Sequence, residues 1–150
     1  CNPIIARLFT FSGHYLPRDT HFAIGNFVQN ALDKKPIIIK GDGRPRRSYL
    51  YGADMATWLW CALEGKHTGK NLHVGSDNSI SIYELAQAVA RVSTVQLNYT
   101  PDIEISTFGA SKDKFHQYVP SNTKTQAQLN VEQWTALETG IALMIKEAIC

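Results

Sequence analysis

The 150 residues contain no hydrophobic run long enough to cross a bilayer, which excludes an organising membrane helix. The apolar opening, Pro3 to Phe9, is too short for a signal peptide and has no basic leader. Charge of one sign is not in excess either. Fifteen basic against thirteen acidic side chains leave +2, so no strong field draws the chain to nucleic acid or to an anionic membrane. Cysteine is scarce, and Cys1, Cys61 and Cys150 have neither metal-ligand nor redox spacing. An odd count argues against a disulfide framework and favours a reduced, cytoplasmic setting, with Cys61 a small buried hydrophobe. The histidines at 14, 21, 67, 73 and 116 form no metal-ligand spacing and no evident nucleophile–base pair. No glycine-rich dinucleotide fingerprint follows a strand, and no repeat, linker or low-complexity tract is visible. An initiator Met is missing and the chain enters an apolar strand almost at once, so a piece of a longer protein is expected.

What is present is a regular alternation of strand and helix patterns. Ile4 to Phe9 reads as a strand buried on both faces. Asp19 to Lys34 carries Phe22, Phe27, Val28, Ala31 and Leu32 at helical spacing, with Asp19 or Thr20 as the cap. Pro36 stops that helix, and Ile37 to Ile39 form a strand leading to the Gly41-Asp42-Gly43 turn. Ser48 to Tyr51 is a further short strand. Asp54 reads as the N-cap of a helix with Met55, Trp58, Leu59, Ala62 and Leu63 on its apolar face.

Gly65 to Gly69 reads as a loop and Asn71 to Val74 as a strand. Ser81 and Glu84 have the spacing of a capping box, with a helix to about Val92. A strand is expected at Ile103 to Ser106, a mobile loop at Gly109 to Lys114 and a short helix after Ser121. Thr135 and Glu138 suggest a second capping box. It would open a last helix with Leu137, Ile141, Met144, Ile145 and Ala148 inward. The pattern as a whole is that of an α/β fold.

The stretch GDGRPRRSYLY, Gly41 to Tyr51, concentrates three arginines beside a turn. A side chain at a strand start is aimed by the sheet, and a guanidinium meets phosphate oxygens bidentately, which an ammonium cannot do. Arg47 is therefore a candidate anion ligand, weighed against a plain surface charge. Arg44 and Arg46 are expected to be solvated turn charges. Tyr49 and Tyr51 interleave with basic residues as in a base-stacking platform. Strand alternation and the absence of a second basic stripe nevertheless argue against nucleic acid.

The order of signals carries more than any one of them. RLFTFSG, KPIIIKGDGRPRRSYLYGADMA, NLHVGSDNSISIYELAQAV, YVPSNTKTQAQLN and WTALETGI follow one another over nearly the whole chain. This succession resembles the C-terminal, substrate-binding half of extended short-chain dehydrogenase/reductases acting on nucleotide sugars. The nearest members are the dTDP-glucose 4,6-dehydratases and related NAD-dependent epimerases. The resemblance implies that Arg47 binds the substrate diphosphate, that Ile38 and Lys40 line the nucleotide pocket, and that Asn78 contacts the nucleotide side. Thr10 stands where most members have an Asn near the sugar nucleotide, and His14 replaces the usual Pro after Gly13. Gln117, before Tyr118, stands where dehydratases often have a second diphosphate arginine, which leaves one charge clamp fewer. Each of these residues also has a plainer reading: Asn78 as a loop former, Tyr118 as a core aromatic, Lys40 as a strand-end charge.

The family's chemistry needs NAD and a Tyr-x-x-x-Lys pair, and no tyrosine here has Lys four residues on. The fragment alone is thus expected neither to bind NAD well nor to catalyse, with no catalytic, cofactor or metal residues of its own. The partners implied are a nucleotide-diphosphate sugar and a missing N-terminal Rossmann domain, whose parallel sheet the strands IIARLF and LHVG would complete. Cut free, those edges would expose apolar backbone, so self-association into a homo-oligomer is expected. A non-catalytic regulator, or a reductase of the same superfamily with another substrate, is the alternative reading.

Overall fold

The computed structural model describes residues 3–19, 22–65, 69–106 and 116–149. Its secondary structure is held in four small sheets and five helices. Strand β1 (Ile5–Leu8) pairs in parallel with β6 (Asn71–Val74), Ile5 opposite Asn71 and Leu8 opposite Val74. Strand β2 (Phe11–Ser12) runs parallel to β5 (Leu50–Tyr51), and β3 (Ile37–Lys40) parallel to β8 (Ile103–Ser106). The remaining sheet is mixed. Its middle strand β4 (Arg46–Arg47) is antiparallel to β7 (Ile80–Ser81) and parallel to β9 (Gln117–Tyr118). Parallel pairs joined through helices make this the expected α/β fold.

Two apolar cores hold the elements together. The larger is built by α1 (Ala23–Leu32), α3 (Ile82–Leu97) and α5 (Leu137–Ile149) over β3, with Ile24, Val28, Ile37, Leu85, Ile141 and Ile145 fully buried. The smaller gathers Trp58 and Ala62 of α2 (Gly52–Glu64) with Leu50, Leu72, Val74 and Leu129, the last from α4 (Thr123–Leu129). Strand β3 shows why period two matters: Ile37 and Ile39 enter the core while Ile38 and Lys40 face out.

The Ser81 capping box forms as expected. Its hydroxyl accepts from the Glu84 amide at 3.1 Å, and Glu84 Oε2 accepts from the Ser81 amide at 2.7 Å. The helix then outruns its expected end at Val92 and stops at Asn98, whose left-handed φ of 49° ends it.

Five local expectations are corrected. The first helix begins at Ala23 behind Phe22, which makes no side-chain cap bond, so Asp19 does not cap it; Thr20 lies outside the described residues. Asp54 stands inside α2 rather than at its cap, because its buried carboxylate is turned to Thr135 instead. Thr135 in consequence gives its amide to Asp54 rather than to Glu138, which pairs with Arg91, and the second capping box does not form. Strand β1 is not buried on both faces: it has one partner strand among the described residues, and Ile5 and Leu8 are 57% and 44% exposed. The strand expected at Ser48 to Tyr51 is shortened to β5, with Ser48 and Tyr49 lying between it and β4 outside either strand. The loop expected at 109–114 lies outside the described residues.

Candidate functional site

The glycine-arginine stretch is anchored before it reaches the arginines. Gly43 and Pro45 accept backbone hydrogen bonds from Tyr83 and Ile82, which open α3. Gly43 has φ +72°, and a Cβ there would lie 3.0 Å from that of Tyr83, so glycine is required by both conformation and space. The three arginines then part company. Arg44 is solvated beside Asp42, as expected. Arg46 is not a solvated turn charge. Its side chain is 30% exposed; Nε donates to Ser79 Oγ at 2.8 Å, Nη2 to the Ser79 carbonyl at 2.9 Å, and Nη2 lies 3.3 Å from Glu84 Oε2.

Arg47, next along the strand, is directed the other way. Its Nη1 donates to the Arg46 carbonyl at 2.8 Å and to the His116 carbonyl at 3.3 Å. Arg44, Arg46 and Arg91 each face a carboxylate, whereas Arg47 has none among the described residues. Its register partner on β9 is Tyr118, half exposed, whose ring lies 4.8 Å from that of Phe9. Phe9 in turn meets the His73 ring edge-on at 5.7 Å. Tyr118 is thus a surface aromatic rather than a core one. Gln117, opposite Arg46, is exposed, and Thr10, half buried next to Phe9, accepts from the Leu50 amide through its carbonyl.

The other candidates lie elsewhere. Asn78 is exposed; its amide N–H donates to Ser76 Oγ at 3.1 Å and its Nδ2 to Gln133 Oε1 at 3.3 Å. It lines a cavity of about 350 Å³ with Arg46, Tyr49, Ser76, Ser79, Glu84, Gln87, Arg91 and Gln133. Ile38 and Lys40 stand on the outer face of β3, opposite Glu104 and Ser106. The structure therefore groups Arg47, Tyr118 and Thr10's neighbour Phe9, puts Asn78 in the cavity with Arg46, and leaves Ile38 and Lys40 on a third surface.

Two residues of this region give no sequence signal. Gln133 falls in a segment without period, yet accepts from both Ser76 Oγ, at 2.6 Å, and Asn78. Arg46 differs from Arg47 only in strand parity. Two ionisable groups are perturbed here. Burial pushes the Tyr49 hydroxyl up to about 12, against the smaller opposing effect of the Arg47 charge. The Ser81 backbone N–H holds the Glu84 carboxyl below its ordinary value, with a lesser contribution from Arg46.

A second cavity of about 550 Å³ lies between the segment after β2 and the end of α5, lined by Phe11, Tyr15, Phe22, Tyr51 and Met55. His14 Nδ1 stands there 3.4 Å from Glu147 Oε2, without hydrogen-bond geometry. Burial, followed by the Glu147 and Asp54 charges, raises the Tyr51 hydroxyl. No group of three His, Cys, Asp or Glu side chains among the described residues could hold a metal ion, and no helix among them is long and apolar enough to cross a membrane.

Comparison with known proteins agrees with this fold. The chain is 32% identical over 143 residues to UDP-glucuronic acid decarboxylase 4 of Arabidopsis thaliana, covering 95% of the chain but 31% of that protein. Superposition on Pal from Bacillus thuringiensis gives a TM-score of 0.83 at 24% identity, over 97% of this chain and 45% of that one. UDP-glucose 4-epimerase from Thermotoga maritima, solved with UDP-glucose, gives 0.82 at 18% identity, again over 97% and 45%. The dTDP-glucose 4,6-dehydratase of Bacillus anthracis, solved with NAD, gives 0.78 at 22%, over 97% and 44%. These neighbours share the Rossmann-type epimerase and dehydratase fold, and the chain spans about a third of the length of the curated relatives it matches. Residues 1–75 match the model of the NAD dependent epimerase/dehydratase family, and the chain belongs to that family.

Proposed function

We propose that the chain is the substrate-binding, C-terminal part of an NAD-dependent nucleotide-sugar enzyme, and that Arg47 holds the substrate diphosphate. The observation that carries this is the uncompensated charge of Arg47. Its guanidinium is fixed by two backbone carbonyls on a strand, while three neighbouring arginines already face carboxylates. A cation held in place without a counter-ion is suited to a phosphate oxygen. Tyr118 borders the same face with Phe9, next to Thr10, while Gln117 is paired with Arg46; Thr10, Gln117, Asn78, Ile38 and Lys40 are assigned to the sugar-nucleotide site.

The substrate we favour is a UDP-linked uronic acid, since the curated relatives that match most of the chain are named UDP-glucuronic acid decarboxylases. A dTDP-sugar dehydratase or a sugar-nucleotide epimerase is the second reading, on the strength of the solved neighbours. When bound, NAD would take up and return a hydride. The connections entering α1, α2 and α3 lack the closely spaced glycines that a dinucleotide pyrophosphate needs, so its contacts are assigned to residues outside this chain. The chain's own part is to keep the sugar nucleotide in register for that chemistry.

Calorimetric titration of the chain with UDP, dTDP and GDP tests the proposal. UDP should bind most tightly, Arg47→Ala should weaken it about tenfold or more, and Arg44→Ala should leave it within about twofold. Affinity for UDP that is unchanged in Arg47→Ala overturns it.

A further inference from the structure

Three aromatic side chains at one end of the molecule are packed into neither apolar core: Phe11 of β2, Tyr15 just after it, and Tyr51 at the end of β5. The parallel pairing of β2 with β5, Ser12 opposite Tyr51, brings them together around the cavity of about 550 Å³. Phe11 and Tyr15 stay exposed there, and the Tyr15 ring meets that of His14 edge-on at 4.8 Å. Charge in this cavity has one sign. Glu147 of α5 is the only Asp, Glu, Lys or Arg in the lining. No Lys or Arg pairs with it among the described residues, and His14 Nδ1 stands 3.4 Å from its Oε2 without hydrogen-bond geometry. Burial, then the charges of Glu147 and Asp54, raise the Tyr51 hydroxyl, so a second carboxylate adds to the same negative field.

We propose that this cavity binds a small organic cation, an ammonium carried on an apolar or aromatic body, with Glu147 as its counter-ion and Phe11, Tyr15 and Tyr51 as its aromatic walls. Aromatic faces attract a cation through the ring quadrupole, and a mostly apolar cavity with one charged group is the usual form of a small-molecule site. Charge complementarity selects the class. An anion is repelled by both carboxylates, and a neutral ligand would strip water from Glu147 without replacing it. Arg47 does not line the cavity, so the site is independent of the diphosphate reading.

The test titrates the chain with benzyltrimethylammonium at about pH 8, where an imidazole is neutral and cannot serve as an internal cation. Benzyl alcohol and benzoate are the neutral and anionic counterparts. Backbone amide shifts in nuclear magnetic resonance report both the affinity and the place of binding. The ammonium should bind at least about fivefold more tightly than benzyl alcohol, and benzoate should not bind. The shifts should gather on the segment from Gly13 to Leu16, the first turn of α2 and Glu147. Glu147→Gln should weaken the ammonium about fivefold and leave benzyl alcohol within about twofold. Tyr15→Ala, at a position almost wholly in solvent, should weaken it about threefold and serves where Glu147→Gln fails to fold. Absence of binding, equal affinity for ammonium and alcohol, or shifts that gather elsewhere overturn the proposal. So does wild-type affinity for the ammonium in both variants.

Discussion

Asp54 and Thr135, separated by 81 positions, are joined by two hydrogen bonds: the Thr135 amide to Oδ2 at 2.9 Å and its hydroxyl to Oδ1 at 3.0 Å. With Trp58 Nε1 on the Glu132 carbonyl at 3.0 Å, they tie α2 to the strap leading into α5. Because the carboxylate is buried, Asp54→Ala leaves the Thr135 donors without their acceptor and should remove roughly 2–3 kcal/mol of stability in urea unfolding. Asp54→Asn, which keeps one acceptor oxygen, should lose about half as much. Equal stability of wild type and Asp54→Ala would show that the tie is ornamental.

The Ser81 box sets an acid limit. Glu84 has its folded value held below the ordinary 4.5, so its contribution is fully present above that pH and disappears as pH falls through the lower folded value. Ser81→Ala should cost about 1 kcal/mol at neutral pH, whereas Glu84→Gln, which removes the carboxylate that accepts the Ser81 amide, should flatten the acid limb of a stability profile below pH 4.5. A limb of wild-type steepness in Glu84→Gln would place the acid sensitivity elsewhere.

At the other end of the scale stands Tyr49, 5% exposed, with its hydroxyl pushed up to about 12 by burial. A raised folded value stabilises the protein below the unfolded value of 10 and is lost as pH climbs towards 12. Tyr49→Phe should therefore unfold less steeply with alkali across that interval, the difference amounting to roughly 2–3 kcal/mol. Ultraviolet titration should show one phenol ionising last.

Gly25 lies in the first turns of α1, where an added Cβ would sit 2.6 Å from the Pro17 carbonyl oxygen. Alanine in a helix is ordinarily better than glycine by about 1 kcal/mol. Here the obstacle is backbone and cannot rotate away, so the clash should win, with Gly25→Ala less stable than wild type by about 1–2 kcal/mol net. A rise in melting temperature would mean that the 13–19 segment moves aside without penalty.

The free side of β1 gives a prediction about association. Ile5 and Leu8 are exposed on a strand with one partner among the described residues, which is a template for pairing with another chain. Sedimentation of the isolated chain should show mass rising with concentration, and Ile5→Lys with Leu8→Lys should suppress it. Sedimentation as a monomer at high concentration would contradict this.

What is legible in the sequence is local, and what is not depends on remote partners. The Ser81 box can be read because donor and acceptor lie three residues apart. Thr135 and Glu138 have the same spacing and fail, since a carboxylate from α2 reaches the Thr135 amide first. Asp54 misleads for the same reason, as its partner is far along the chain. Cys61, expected buried, is only half so, packed at the edge of the smaller core. In the candidate site, position on a strand start marks Arg47, but nothing in the stretch tells Arg46 from a solvated charge. That distinction comes from Ser79 and Glu84, which only the folding of β7 beside β4 brings near. Gln133, in a segment with no period at all, is out of reach.

The brevity of β4 makes this region sensitive to chain length more than to composition. Its two residues present opposite sides, and the turn ahead of them is pinned at Gly43 and Pro45 by the start of α3. One residue inserted after Pro45 would advance the strand by half a pleat, sending Arg46 towards Tyr118 and the inserted side chain towards Ser79. A neutral insertion would leave net charge untouched while Arg46 took the place of Arg47 and Arg47 moved on to that of Ser48. Replacements at the exposed Arg44 should thus be tolerated, whereas a single-codon insertion or deletion beside it should act like loss of an arginine.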